Sequence, residues 1–144
     1  MFLTGFCAGC NASPTDGNTV SVAQADTVWL TDYDAALKTA QATNKLVVID
    51  FFATWCGPCR MMERNTFADE KVRQRLAGFV PLKIDVDKQP KLAARYGIEA
   101  MPTTLVVDAT GKPLATAVGY LEVADYLAVL DKAQPARSET NVVR

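Results

Sequence analysis

The chain has 144 residues, 49% of them apolar and 22% charged, with a formal net charge of −1. That length suits one domain whose core stands without metal or staples; the near-neutral balance gives no basic footprint for nucleic acid, and no apolar run approaches the ~18 residues of a membrane span. Histidine is absent, which removes Ser-His and Cys-His nucleophile pairs, His-ligated metal and imidazole as a general base. Proton transfer then falls to carboxylates, lysine, tyrosine or thiols.

Residues 1–24 differ in character from the rest of the chain. The apolar run Met1-Phe2-Leu3-Thr4-Gly5-Phe6-Cys7-Ala8-Gly9-Cys10 gives way to Asn11-Ala12-Ser13-Pro14-Thr15-Asp16-Gly17-Asn18, which is small, polar and turn-forming. The segment reads as a signal-peptide remnant or flexible tether ahead of a domain over 25–133. Thr31 is the predicted N-cap of a first helix, with Asp32 and Asp34 in its first turn and Asn44 as its C-cap. Residues 46–52 are a continuous β-branched and aromatic run interrupted only by Asp50, as in a central strand buried on both faces. Gly57-Pro58 opens a helix with proline in its first turn. That helix carries Met61, Met62 and Arg64, breaks near Thr66 and resumes through Val72 and Leu76 to Gly78. A second strand follows at 80–86, a short helix over 90–96 stopped by Gly97, and a third strand at 103–107. Ala109-Thr110-Gly111-Lys112 reads as a hairpin turn into a fourth strand at 114–118. Residues 122–132 form an amphipathic closing helix with Val123, Tyr126, Leu127 and Leu130 on its apolar stripe, and 134–144 read as a disordered tail. The order β-α-β-α-β-α-β-β-α predicts an α/β protein, a mixed sheet between two helical layers.

Four cysteines occur as two C-x-x-C pairs, Cys7/Cys10 and Cys56/Cys59. That pattern alone fits zinc ligation, a disulfide framework or a redox motif. Context separates the second pair, which is bracketed by Trp55 and Gly57-Pro58, comes after a buried strand and opens a helix. There the Cys56 sulfur meets the unpaired N–H groups and partial positive charge of a helix N-terminus, which favours thiolate. In such motifs the thiol pKa falls from ~8.5 to roughly 3.5–7.5. Cys59, one turn along, is placed to resolve a mixed disulfide formed on Cys56.

The run Val48-Ile49-Asp50-Phe51-Phe52-Ala53-Thr54-Trp55-Cys56-Gly57-Pro58-Cys59 resembles the active-site region of thioredoxins. The resemblance continues through Lys83-Ile84-Asp85-Val86-Asp87, Tyr96-Gly97-Ile98, Met101-Pro102-Thr103 and Val118-Gly119, covering about 28–132. Thr66-Phe67-Ala68-Asp69-Glu70-Lys71-Val72 is similar to the thioredoxin-like C-terminal domain of DsbD-type thiol:disulfide interchange proteins. The resemblance implies a thioredoxin fold, a cis peptide bond before Pro102 beside the sulfurs, and free Met101 backbone groups for an extended substrate. It also implies that Trp55, Ala53, Gly57, Pro58 and Gly119 border the active-site surface, although Trp55 reads equally as core packing.

Two carboxylates carry the acid–base expectation. Asp50 is a lone carboxylate in an apolar strand, which is costly without work or a partner, and burial raises its pKa toward that of a proton acceptor for Cys59. Thioredoxins carry a buried aspartate at the matching position. Glu63, four residues after Cys59, shares its helix face and is a second candidate; the alternative is a glutamate that faces solvent. Many thioredoxins place a lysine opposite the buried aspartate where this chain has Pro81. Lys83, two residues on, shares that strand face but is expected to extend to solvent.

The expected activity is protein-disulfide reduction through a Cys56 mixed disulfide, acting on disulfide-containing proteins and supplied by an upstream thiol donor. No cofactor is expected beyond the Cys56–Cys59 disulfide, no metal, and a monomer. The alternatives are the same chemistry run as an oxidase or isomerase, or a non-catalytic thioredoxin-fold binding module. Cys7-Ala8-Gly9-Cys10 reads as the end of a lipoprotein signal with Cys10 as the lipidated residue, hence a periplasmic or extracytoplasmic setting, with a cytoplasmic one as alternative.

Overall fold

The computed structural model describes residues 26–134, so the tether and lipid-anchor readings and the tail beyond Gln134 lie outside the described residues. Helix α1, Tyr33–Thr43, is capped by Asp32 rather than Thr31: the Asp32 carboxylate accepts the Ala35 amide at 2.8 Å. A carboxylate there adds charge complementarity to the capping hydrogen bond. Asn44 closes α1 in the left-handed region, its N–H returning to Ala40 O.

Strand β1, Val47–Phe52, is central. It pairs in parallel with β2, Val80–Asp85, and antiparallel with β3, Thr103–Val107, which in turn pairs with β4, Pro113–Val118, giving the order β2-β1-β3-β4. The strand expected before α1 is a single residue: Leu30 bridges Leu82, its N–H bonding Pro81 O and its O taking the Lys83 N–H. Asp32 already adopts capping geometry two residues later, which stops the pairing from continuing past Leu30 toward α1.

Alternation along β1 divides the core. Val47, Ile49 and Phe51, with Leu82 and Ile84, pack beneath α1 and α4, Pro90–Arg95. Val48 and Val106 face the opposite layer, made of α2, Gly57–Met62, α3, Glu70–Leu76, and α5, Val123–Ala133. Asp50 shares the Val48 face by the strand period of two, and so lies on the side of the sheet that α2 covers.

The interruption expected near Thr66 is a widened turn rather than a break. Helix α2 continues into a π-helical turn, Glu63–Phe67, and α3 restarts at Asp69, which accepts the Lys71 and Val72 amides. Turns of this kind concentrate at functional sites. Here the turn brings the Thr66 hydroxyl to Leu121 O at 2.6 Å and packs Phe67 against Trp29 and Tyr126.

On the other layer, Tyr96 donates to Gly111 O at 2.8 Å and lies 2.6 Å from the Tyr33 hydroxyl, tying α1, α4 and the β3–β4 hairpin together. Gly111 has φ +87°, and a Cβ there would lie 3.1 Å from the Tyr96 hydroxyl oxygen. Gly111→Ala therefore meets both backbone strain and the tyrosine pair, and is expected to lower the unfolding free energy by about 1–3 kcal/mol in urea denaturation.

Candidate active site

Cys56 is the N-cap of α2, so its sulfur sits where the helix begins. Its Sγ accepts the Cys59 amide at 3.2 Å, and the two cysteines are disulfide-bonded with Cα atoms 5.3 Å apart. Both are buried, packed with Ala53 and touched by Phe52, Val86 and Met101. The helix amide that holds Cys56 Sγ in the disulfide is available to stabilise a thiolate in the dithiol form.

The surround is asymmetric. Trp55 is 65% exposed, which removes the core-packing reading, and its indole N–H donates to Asp87 Oδ2 at 2.9 Å. Pro58 is exposed and Gly57 half-buried, while Ala53 is buried rather than bordering the surface. The Met101–Pro102 peptide is cis. Gly119, at φ +97°, donates its N–H to Pro102 O at 2.8 Å, and Thr103 Oγ1 donates to Ala100 O at 2.7 Å. This loop is thus braced on both sides. Among the described residues the Met101 amide and carbonyl enter no hydrogen bond, and its side chain lies half-buried against the disulfide.

Asp50 is 2% exposed, and its Oδ1 has no hydrogen-bond partner. Burial raises its carboxyl from 3.8 to about 7, with the Lys83 charge opposing the rise. Asp50 and Cys59 both line a cavity of about 200 Å³ whose walls include Arg60 and Glu63. Arg60 is held there by its hydrogen bond to Thr54 O at 2.9 Å.

Lys83 does not extend to solvent. It stands opposite Asp50 in the β1–β2 register, its side chain only 15% exposed and ion-paired with Glu63. Its ammonium lies 5.3–5.5 Å from the ring centroids of Trp29, Phe52 and Phe67. Burial pulls the ammonium below its usual range, and the Asp50 charge counters this. Three ring faces and two carboxylates compensate the lysine's lost hydration, which is why it stays inside. Glu63 is half-exposed; it joins the site as the ion-pair partner of Lys83 and as a wall of the shared cavity. The sequence placed Lys83 on the strand face of the buried aspartate, as the register bears out, but did not reveal its enclosure or its ion pair with Glu63. It also missed two hydroxyls near Asp50, Thr104 and Tyr126, that have no partner.

Comparison with known proteins matches this architecture. A thioredoxin H-type from Oryza sativa subsp. indica is 42% identical over 76 residues, 53% of this chain and 60% of that protein. A thiol:disulfide interchange protein DsbD from Ralstonia nicotianae is 36% identical over 109 residues, 72% of this chain and 18% of that protein. The chain thus spans less than two thirds of either relative. The solution structure of a thioredoxin from Thermus thermophilus superposes with a TM-score of 0.67 at 28% identity, covering 75% of this chain and 87% of that one. No helix among the described residues is long and apolar enough to cross a membrane. The profile of the thioredoxin-like domain family matches residues 33–134, and with the buried Cys56–Cys59 disulfide at the start of α2 this assigns the chain to that family.

Proposed function

We propose that this chain is a thiol–disulfide oxidoreductase that reduces disulfides of exported or partner redox proteins. The observation that carries the reading is the Cys56–Cys59 pair at a helix start with buried Asp50 on the same cavity. In the dithiol form the Cys56 thiolate attacks one sulfur of a substrate disulfide. That bond breaks, its other sulfur leaves and is protonated by solvent, and a Cys56–substrate disulfide forms. Cys59 passes its proton to the Asp50 carboxylate across the cavity and attacks Cys56 Sγ. The Cys56–Cys59 bond closes, the substrate sulfur leaves as thiolate and takes a proton from solvent, Asp50 returns its proton to solvent, and two electrons have moved to the substrate. An upstream thiol donor restores the dithiol.

Trp55, Gly57, Pro58, Met101, Pro102 and Gly119 surround the entry to the sulfurs, and the unpaired Met101 backbone groups suit an extended substrate segment. Glu63 and Lys83 tune the Asp50 proton rather than meeting substrate. The similarity to an interchange protein supports an extracytoplasmic setting, with lipidation at Cys10 as its finer form and a monomer as the working unit.

Insulin-disulfide reduction is expected to fall to the uncatalysed background in Cys56→Ser, and Cys59→Ser should accumulate mixed disulfides on Cys56. An unchanged rate in Cys56→Ser would leave a binding module. Equilibration with glutathione should give a potential near that of thioredoxin, about −270 mV, and not near the about −120 mV of a strong oxidant.

Asp50 gives the pH dependence. Its folded-state value lies above the unfolded one, so the native protein holds an extra proton between about pH 4 and 7, and stability falls as pH rises through that window. The shift bounds the loss at about 4 kcal/mol. In the oxidised protein, Asp50→Asn should flatten this decline and raise the urea midpoint at pH 8. In turnover it should slow resolution of the mixed disulfide about 10²-fold at pH 7.

A further inference from the structure

Between the sheet and the layer of α2 and α5 lie three buried side-chain oxygens with no hydrogen-bond partner: Asp50 Oδ1 on β1, Thr104 Oγ1 on β3 and Tyr126 Oη on α5. They are clustered. Asp50 and Thr104 stand directly opposite each other in the β1–β3 register, so their side chains leave the same face of the sheet. Tyr126 comes down from α5 onto the neighbouring pair on that face, Val48 and Val106, near enough for the Asp50 charge to act on its phenol. Asp50 is 2% exposed and the other two are fully buried. Valine and phenylalanine would fill the same space without an unpaired oxygen, and buried polar groups in folded proteins are as a rule satisfied. Three unmet groups in one patch point to a partner they share.

We propose that the Tyr126 and Thr104 hydroxyls serve the Asp50 carboxylate through one internal water that all three orphaned oxygens share, and that Tyr126 is thereby a positioning residue for proton transfer from Cys59. The chemistry of this inference rests on the oxidoreductase reading; its geometry does not. The proton itself moves only from the Cys59 thiol to the Asp50 carboxylate. The two hydroxyls keep their protons and hold the carboxylate while it is ionised. Tyr126 suits this, because burial and the Asp50 charge keep its phenol protonated well above the usual range. The charged groups around Asp50 are otherwise engaged. Lys83 faces it from β2 and is held by Glu63 of the π turn, Arg60 of α2 is bonded to Thr54 O, and Asp85 of β2 accepts the Asp87 amide. None of them donates to Oδ1.

The test is a ¹³C NMR titration of the Asp50 side-chain carboxyl in the oxidised full chain, with Asp50→Asn to assign the resonance. Tyr126→Phe keeps the ring and removes only the oxygen, and Thr104→Val is likewise close in shape. In Tyr126→Phe the Asp50 midpoint is expected to move up by about one pH unit, the size of one lost hydrogen bond to a charged group. Thr104→Val should move it in the same direction, and the pH at which the Cys56 mixed disulfide resolves should follow. A midpoint that stays in place or falls overturns the proposal; an unpaired hydroxyl would instead announce itself as a gain in stability on removal. Since the titration is read without substrate, a failed insulin assay would remove the oxidoreductase reading and leave this result standing.

Discussion

A carboxyl in the middle of a strand covered on both faces is the group around which this site is organised. Asp50 is flanked along β1 by Ile49 and Phe51, both fully buried in the opposite layer. A lone carboxylate there would be driven out or neutralised. What keeps a fraction of it ionised near neutral pH is Lys83 on the adjacent strand. That ammonium is itself largely removed from water and takes its compensation from Glu63 and three aromatic faces. Glu63 stands at the start of the widened turn that succeeds α2. A chain of charges therefore runs from the core to the half-exposed rim, each member tolerable because of the next.

The sulfurs are tied into the same arrangement by covalent proximity. Six positions separate Asp50 from Cys56, enough for β1 to end and for α2 to begin with the cysteine as its cap. Helix α2 lies across the Asp50 face, so Cys59 and Asp50 come to share one cavity. Strand polarity, helix start and carboxyl burial are thus one constraint. Moving the C-x-x-C by one residue relative to β1 would send the cap to a different face and separate Cys59 from Asp50.

Much of this was readable in the chain because short-range physics decides it. The β1 run, the helix opened by Gly57-Pro58, and the αL cap at Asn44 depend on local pattern and turn chemistry, and the structure has them within a residue or two. The exceptions depend on contacts distant in sequence. Lys83 reads as a surface lysine until the register puts it across from Asp50 with Trp29 and Phe67 over it. Tyr126 reads as one more member of an apolar stripe, and Thr104 as a strand threonine. Their oxygens acquire meaning only when β3 and α5 meet β1. The strand that the expected order set ahead of α1 is only the Leu30 bridge, cut off on its α1 side by the Asp32 cap.

With histidine absent from the sequence, burial is what brings a side chain of this site into the neutral titration range. Thiol–disulfide exchange at neutral pH works best with a proton acceptor that titrates near ambient pH, and imidazole is the side chain that does so unperturbed. This chain has none. An exposed aspartate at 3.8 would be ionised yet too weak a base to draw a proton from a thiol. Burial lifts Asp50 to about 7, into the range an imidazole would occupy, and Lys83 keeps it from rising further. The stability lost by enclosing the carboxyl and the proton affinity gained by it are two readings of the same shift, so a variant that lets water reach Asp50 gives up that proton affinity in equal measure.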